Sequence, residues 1–172
     1  MLKLRQSLKS IHSQRRTLIT YSKQNQLYIH PKSNNKNLVS FSKNPESLAI
    51  GEFYSSNPEN EEITTKNFIS ENKEFLNKLH ELIKKHIADD FTYAVESASY
   101  ADQHMPVYDL RVTPNYQRQP DVENTFGFVR IGSDGTILND SYQVNDLYKL
   151  VTSDGPIKVS DYLHEKLVEE LD

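Results

Sequence analysis

Ile131-Gly132-Ser133-Asp134-Gly135-Thr136-Ile137 and Val151-Thr152-Ser153-Asp154-Gly155-Pro156-Ile157 align at a spacing of 20 residues, and Tyr142 aligns with Tyr162 in the same frame. Each Ser-Asp-Gly is a tight-turn signal, because glycine reaches positive φ without the steric cost that a Cβ brings. The flanking residues therefore predict two successive β-hairpins, one joining Thr125 to Ile131 with Thr136 to Leu138, the other joining Leu147 to Val151 with Ile157 to Val159. Ser160 is then placed to cap a terminal helix carrying Leu163, Leu167, Val168 and Leu171, with Asp161 at its favourable N-terminal end. Two copies are too few for a solenoid or propeller. The fold class expected is α+β, a small antiparallel sheet built from the two hairpins with helices packed on it, over residues 66–172.

Upstream, Phe68, Phe75, Leu79, Leu82, Ile83 and His86 share one face at 3.6-residue spacing and predict a helix from Lys66 or Ser70 to Ile87, with Ser70 as the cap of its main body. Glu74 with Lys78 and Glu81 with Lys85 are i,i+4 pairs in the favourable order. Asp89 and Asp90 lie where the helix dipole disfavours acids, so the helix stops there. Phe91 to Tyr100 fits a strand through Phe91, Tyr93 and Val95, or a helix through Ala94, Ala98 and Ala101. Val107 to Arg111 reads as a strand, and the stretch to Asp121, with Pro114 and Pro120, as an extended surface loop.

Residues 21–65 are rich in Asn, Ser, Lys and Gln and are interrupted by Pro31, Pro45 and Pro58, so they read as a poorly ordered linker or arm. Two apolar islands break it, at Leu38 to Ser42 and at Leu48 to Gly51.

The charge is divided unequally. Residues 1–45 hold nine of the 20 Lys and Arg and none of the 24 Asp and Glu, so the remainder carries a net charge of -13. Within that basic end, Leu4, Leu8, Ile11 and Leu18 form one apolar stripe of a helix while Arg5, Lys9, His12 and Arg16 gather beside it. Ser7, Ser10 and Ser13 complete the composition of a mitochondrial targeting sequence over residues 1–20: basic, Ser-rich and acid-free. A secretory signal would need an unbroken apolar run, and none is present. Arg15-Arg16-Thr17-Leu18-Ile19-Thr20-Tyr21-Ser22 places the cut between Leu18 and Ser22. Cleavage after Leu18 removes five basic residues and leaves a mature net charge of -9.

The absence of cysteine removes disulfides, thiolate metal sites and a Cys nucleophile. No apolar run approaches the length of a transmembrane helix, which leaves a soluble protein or one peripherally associated with a membrane. His80-Glu81-Leu82-Ile83-Lys84 begins like a zinc-protease motif, but Lys84 stands where the second histidine must be, so neither it nor His86 predicts a metal. Asp89, Asp90, Glu96, Asp102, His104 and Asp109 form an acidic region without calcium-loop spacing. Arg111, Arg118 and Arg130 suit a phosphate or carboxylate, though no phosphate-binding Gly pattern accompanies them, and Arg130 is expected to pair with an acid across a sheet. Asn139-Asp140-Ser141 matches the N-glycosylation pattern, which a mitochondrial address would make irrelevant.

Thr125-Phe126-Gly127-Phe128-Val129-Arg130, Ser141-Tyr142, Leu147-Tyr148-Lys149-Leu150 and Ser160-Asp161-Tyr162-Leu163-His164-Glu165-Lys166-Leu167, behind such an N-terminus, resemble small fungal mitochondrial proteins of uncharacterised function. The resemblance covers the last third of the chain and carries no activity, cofactor or catalytic residue.

Together these features predict a non-enzymatic assembly factor or peripheral subunit of a matrix or inner-membrane complex, with other mitochondrial proteins as partners and no cofactor or metal. The competing expectation is a small enzyme or metabolite-binding domain whose catalytic candidates are Asp102, His104, Asp109 and Arg111. RNA binding through Phe126, Phe128, Tyr142 and Tyr148 is a third, disfavoured by the acidic charge; the same charge speaks against DNA.

Overall fold

The computed structural model describes residues 18–112 and 120–172. Its first feature is a five-stranded antiparallel meander in chain order, β1 (Ile19–Thr20), β2 (Tyr28–Pro31), β3 (Lys36–Ser40), β4 (Gly51–Tyr54) and β5 (Phe68–Glu71). This overturns the expected linker over residues 21–65, since most of the sheet lies inside it. The β2–β3 connection runs through Ser33, Asn34 and Asn35 between the paired Lys32 and Lys36, with both asparagines at positive φ (61° and 58°), a backbone that asparagine tolerates. Both apolar islands belong to the fold: Val39 and Phe41 lie in or beside β3, and Ile50 precedes β4, all three fully buried.

β5 passes so close to β4 that a Cβ on Gly51 would sit 2.3 Å from the Ser70 carbonyl oxygen. Ser70 is therefore a strand residue opposite Glu52, and Asn72 replaces it as the helix cap. The Asn72 side chain accepts from the amides of Glu74 and Phe75 and donates to Ala49 O (2.9 Å), so one residue starts the helix and ties it to the sheet. The helix, α1 (Lys73–His86), buries Phe75, Leu79, Leu82 and Ile83, as the spacing predicts, while Phe68 belongs to β5. Phe75 stacks on Phe41 of the sheet at 6.0 Å between ring centroids. His86 sits half-buried at the edge of this layer, its ring edge-on to Tyr162.

Lys78 and Lys85 both turn to Glu170, at its carbonyl (2.8 Å) and its carboxylate (3.8 Å) respectively. Two cations near a helix C-terminus answer its dipole as well as the side-chain charge.

A 3-10 turn at Ile87–Asp89 leads into α2 (Phe91–Ser97), which settles the ambiguous stretch as helix. A smaller antiparallel sheet follows, β6 (His104–Tyr108), β7 (Thr125–Arg130) and β8 (Gln143–Val144), in the order β6-β7-β8. β6 begins three residues earlier than the sequence suggests and runs through Pro106, which an edge strand tolerates because one row of its amides needs no partner. The expected loop before Asp121 lies mostly outside the described residues, and Arg118 with it.

Both Ser-Asp-Gly turns are present, with Gly135 at φ 79° and Gly155 at φ 106°. The hairpins they close are shorter than expected. In the first, only Ile131 and Ile137 form a bridge, with Leu138 N donating to Arg130 O (2.9 Å), because β7 spends its length on β6 and β8. In the second, β9 (Val151–Thr152) pairs with β10 (Gly155–Pro156), and Ile157 N donates to Leu150 O (2.8 Å). Val159 instead pairs with the Gln26 side chain, whose amide accepts from Val159 N (3.2 Å) and donates to Val159 O (2.9 Å), imitating a strand partner.

α3 (Asp161–Leu171) closes the fold, burying Leu163, Leu167 and Leu171. The Ser160 hydroxyl accepts from Leu163 N (3.0 Å) and donates to the Asp90 carboxylate, which in turn caps α2 through Thr92 N (2.9 Å). Two helix N-termini thus share one buried hydrogen-bond chain. Ser160→Ala removes the cap and leaves the Asp90 oxygen without its donor. The expected loss is about 2 kcal/mol, read as a lower urea midpoint with an unchanged m value.

Candidate functional site

Where β6 ends, the chain is held by partners from three directions. Tyr108 O accepts from the Tyr93 hydroxyl (2.7 Å), Asp109 N donates to Asn124 O (2.8 Å), and Leu110 N donates to Lys158 O (2.9 Å). These bonds turn Asp109 and Arg111 inward, and their side chains are 0% and 2% exposed.

The Asp109 carboxylate is fully engaged. Oδ1 accepts from the backbone amides of Arg111 (2.9 Å) and Lys158 (3.0 Å). Oδ2 accepts from the Tyr148 hydroxyl (2.7 Å) and from Arg111 Nη2 (2.5 Å). The guanidinium continues outward: Nη1 donates to Gly155 O (2.8 Å) and Nη2 to Lys149 O (2.8 Å). Among the described residues, Nε finds no acceptor. Arg111 also lies over the Tyr148 ring, 5.6 Å from its centroid, and that ring packs on Phe126 at 4.7 Å. A further layer joins Asn124, Thr152 and Asp154: the Thr152 hydroxyl donates to Asn124 Oδ1 (3.0 Å) and Asn124 Nδ2 to Asp154 Oδ2 (2.8 Å).

Burial, reinforced by the Asp109 charge, pushes the Tyr148 hydroxyl well above its usual range and keeps it a donor. For Arg111, burial alone would lower the pKa, but Tyr148 and Asp109 together raise it. The guanidinium stays charged. A carboxylate holding four donors, away from water, has no lone pair aimed at a substrate proton. The geometry makes Asp109 and Arg111 a buried structural clamp.

The other two candidates stand apart. Asp102 occupies a turn at φ 63° and His104 is exposed at the far end of β6, opposite Arg130, roughly 16 Å of extended chain from Asp109. The four residues do not form one site. Arg130, exposed, faces His104 across the strand pair rather than the expected acid. Asp90 is spent on capping, and no group of three or more His, Asp or Glu is placed to hold a metal ion among the described residues. Of the aromatic residues weighed for RNA, Phe126, Tyr142 and Tyr148 are buried in the core and Phe128 alone is exposed.

No protein-family model, curated protein or solved structure matches this chain.

Two further features border the clamp. A cleft of about 510 Å³ opens between residues 21–25, residues 62–64 and the β9–β10 hairpin, with Arg111 in its wall and a Lys23–Glu62 ion pair (3.0 Å) on one side. Edge-on to Tyr148, His80 Nδ1 contacts the Tyr142 hydroxyl (2.8 Å), which itself donates to Phe126 O (3.1 Å), so His80 is the donor to Tyr142. The histidine of the failed zinc motif is thus a partner to the core. Asn124 is marked by no sequence pattern, and Tyr142 and Tyr148 are weighed from the sequence only as RNA-facing aromatics, because no local pattern marks a tyrosine that must reach a carboxylate 39 residues away.

Two predictions follow from this geometry. Arg111→Met leaves Asp109 buried without its counter-charge and is expected to cost about 3–5 kcal/mol, whereas Tyr148→Phe costs about 1–2 kcal/mol; adding Asp109→Leu to Arg111→Met restores part of the loss, and urea titrations measure all three. Burial holds both His80 and His164 below the usual histidine pKa, with nearby acids opposing the effect. Below about pH 6.5 the unfolded chain binds protons that the folded chain refuses. Stability therefore falls as pH drops from 7.5 to 5.5, and a His80→Gln, His164→Gln double variant shows a shallower fall.

Proposed function

We propose that this chain is imported into the mitochondrial matrix and works there without catalysis, contacting other proteins as an assembly factor or peripheral subunit of a matrix or inner-membrane complex. The observation that carries the reading is on α2, where Phe91 is 81% exposed and Val95 59% exposed. Four residues apart, they share one helical face, with the exposed Ala98 a turn further on. Burying a side chain such as Phe91 or Val95 is worth about 1.5–3 kcal/mol, so this face offers a partner more than it offers water.

The inner side of α2 is already committed, through Tyr93 to Tyr108 O and through Ser97 to Gly135 O (2.7 Å). The engagement of Asp109 and Arg111 with each other and with the surrounding backbone supports the same reading, since this buried ion pair serves the fold. The mitochondrial address is supported by the basic, acid-free amphipathic pattern of the N-terminus. No helix among the described residues is long and apolar enough to cross a membrane.

Native electrophoresis of mitochondrial complexes tests the proposal. The tagged chain is expected to migrate with a larger assembly, and a Phe91→Ser, Val95→Ser variant to migrate alone with its melting temperature nearly unchanged. Migration of the parent chain as a free monomer would remove the proposal. A fluorescent fusion lacking residues 1–22 is expected to lose its mitochondrial signal.

A further inference from the structure

We infer that processing breaks the Leu18–Ile19 peptide bond, so that the working protein begins at Ile19. The inference rests on the import reading above and names the bond within it. The sequence around Arg15 and Arg16 leaves four bonds open, those between Leu18 and Ser22. The fold treats their products very differently.

Leu18 is 42% exposed and precedes the first strand. Ile19 and Thr20 pair with Ile29 and Tyr28, and Ile19 packs against the core. Tyr21 is 3% exposed, its amide donates to Leu27 O (2.9 Å), and its hydroxyl accepts from Ile63 N (3.1 Å). A cut after Ile19 removes a packed side chain from the sheet edge. One after Thr20 removes the whole of β1. One after Tyr21 removes a core ring and leaves the buried amide of Ile63 without an acceptor, the costliest of the four outcomes. Only hydrolysis after Leu18 spares every residue that the sheet uses.

The chemistry is amide hydrolysis: water adds across the bond, Leu18 keeps a carboxylate, and Ile19 gains an ammonium group. An endopeptidase that reads arginine acts on the unfolded precursor, with Arg16 three positions before the scissile bond when Leu18 is the first residue on its N-terminal side. The new ammonium group lies at the start of an edge strand, beside an exposed position, where water solvates it. The fold then selects among possible products by stability.

The test is to express the full chain with a C-terminal tag, recover it from isolated mitochondria, and determine its first residue by intact mass and N-terminal sequencing. Ile19 is the expected first residue. Any other first residue in protein recovered from mitochondria, including Met1, overturns the assignment and leaves the import reading standing. Absence of the chain from mitochondria overturns the import reading and the assignment together. A second measurement examines the anchor itself in the full-length chain: Tyr21→Ala is expected to lower the melting temperature by about 5 °C or more, and Leu18→Ala to leave it within about 1 °C. Equal melting temperatures for the two variants would overturn the argument from the fold.

Discussion

The structure depends on one carboxylate. Asp109 accepts four hydrogen bonds, and their donors come from its own turn, from Lys158 ahead of α3, and from Tyr148 beyond β8. A buried charge of this kind is tolerable only when its lone pairs are all taken and a counter-charge is close. Arg111 supplies the counter-charge and also donates from Nη2 and Nη1 to the carbonyl groups of Lys149 and Gly155. Segments that carry little regular structure are thereby fixed in position by a single ion pair. β9 and β10 have two residues each and would not persist as an isolated hairpin.

The same principle explains how the N-terminal sheet and the C-terminal helix become one body. Gln26 lends its side-chain amide to Val159 as a strand would lend its backbone, and Glu71 accepts from Leu150 N (3.1 Å) at the other sheet edge. The Ser160–Asp90 bond then sets α3 beside α2. Gln26 and Glu71 do the work of an absent strand, the Ser160–Asp90 bond joins two helix caps, and in each case the bond is long in sequence and short in space. Hydrophobic burial beneath, from Ile29, Val39 and Phe53 against Leu79 and Leu167, supplies the driving force. The polar links decide the arrangement.

That division accounts for what the sequence revealed and what it concealed. α1 and α3 were legible because Phe75, Leu79, Leu82 and Ile83, or Leu163 and Leu167, repeat at helical spacing; the Ser160 cap of α3 was legible too, whereas α1 starts from Asn72 and not from Ser70. Gly135 and Gly155 marked their turns for the steric reason that applies to any chain. The five-stranded sheet was hidden because its strands are short and several of its buried residues are polar. His30 donates to Ser42 O (2.9 Å) and Asn37 to Ser55 O (3.0 Å), so residues that read as solvated linker are satisfied inside the fold. Its β2–β3 turn places Asn34 and Asn35 at positive φ, where the familiar signal would be glycine. At the site, Asp109 and Arg111 were visible as residue types in a suggestive place, but their role depended on Tyr148, which no local pattern connects to them. Asp102 and His104 looked equally suggestive and stand at the opposite end of the strand.

The functional reading turns on the same contrast between committed and uncommitted side chains. Catalysis needs polar groups with unspent hydrogen-bonding capacity, held where a substrate can reach them. Here the best-placed polar groups are spent on one another, and Phe91 and Val95 remain in water on a helix that is pinned on both flanks, by Asp90 to Ser160 and by Ser97 to Gly135. Pinning matters, because a short helix of seven residues would not hold its shape alone. The fold thus presents a rigid apolar face at little further entropic cost to binding. A partner that covers this face need not order it first.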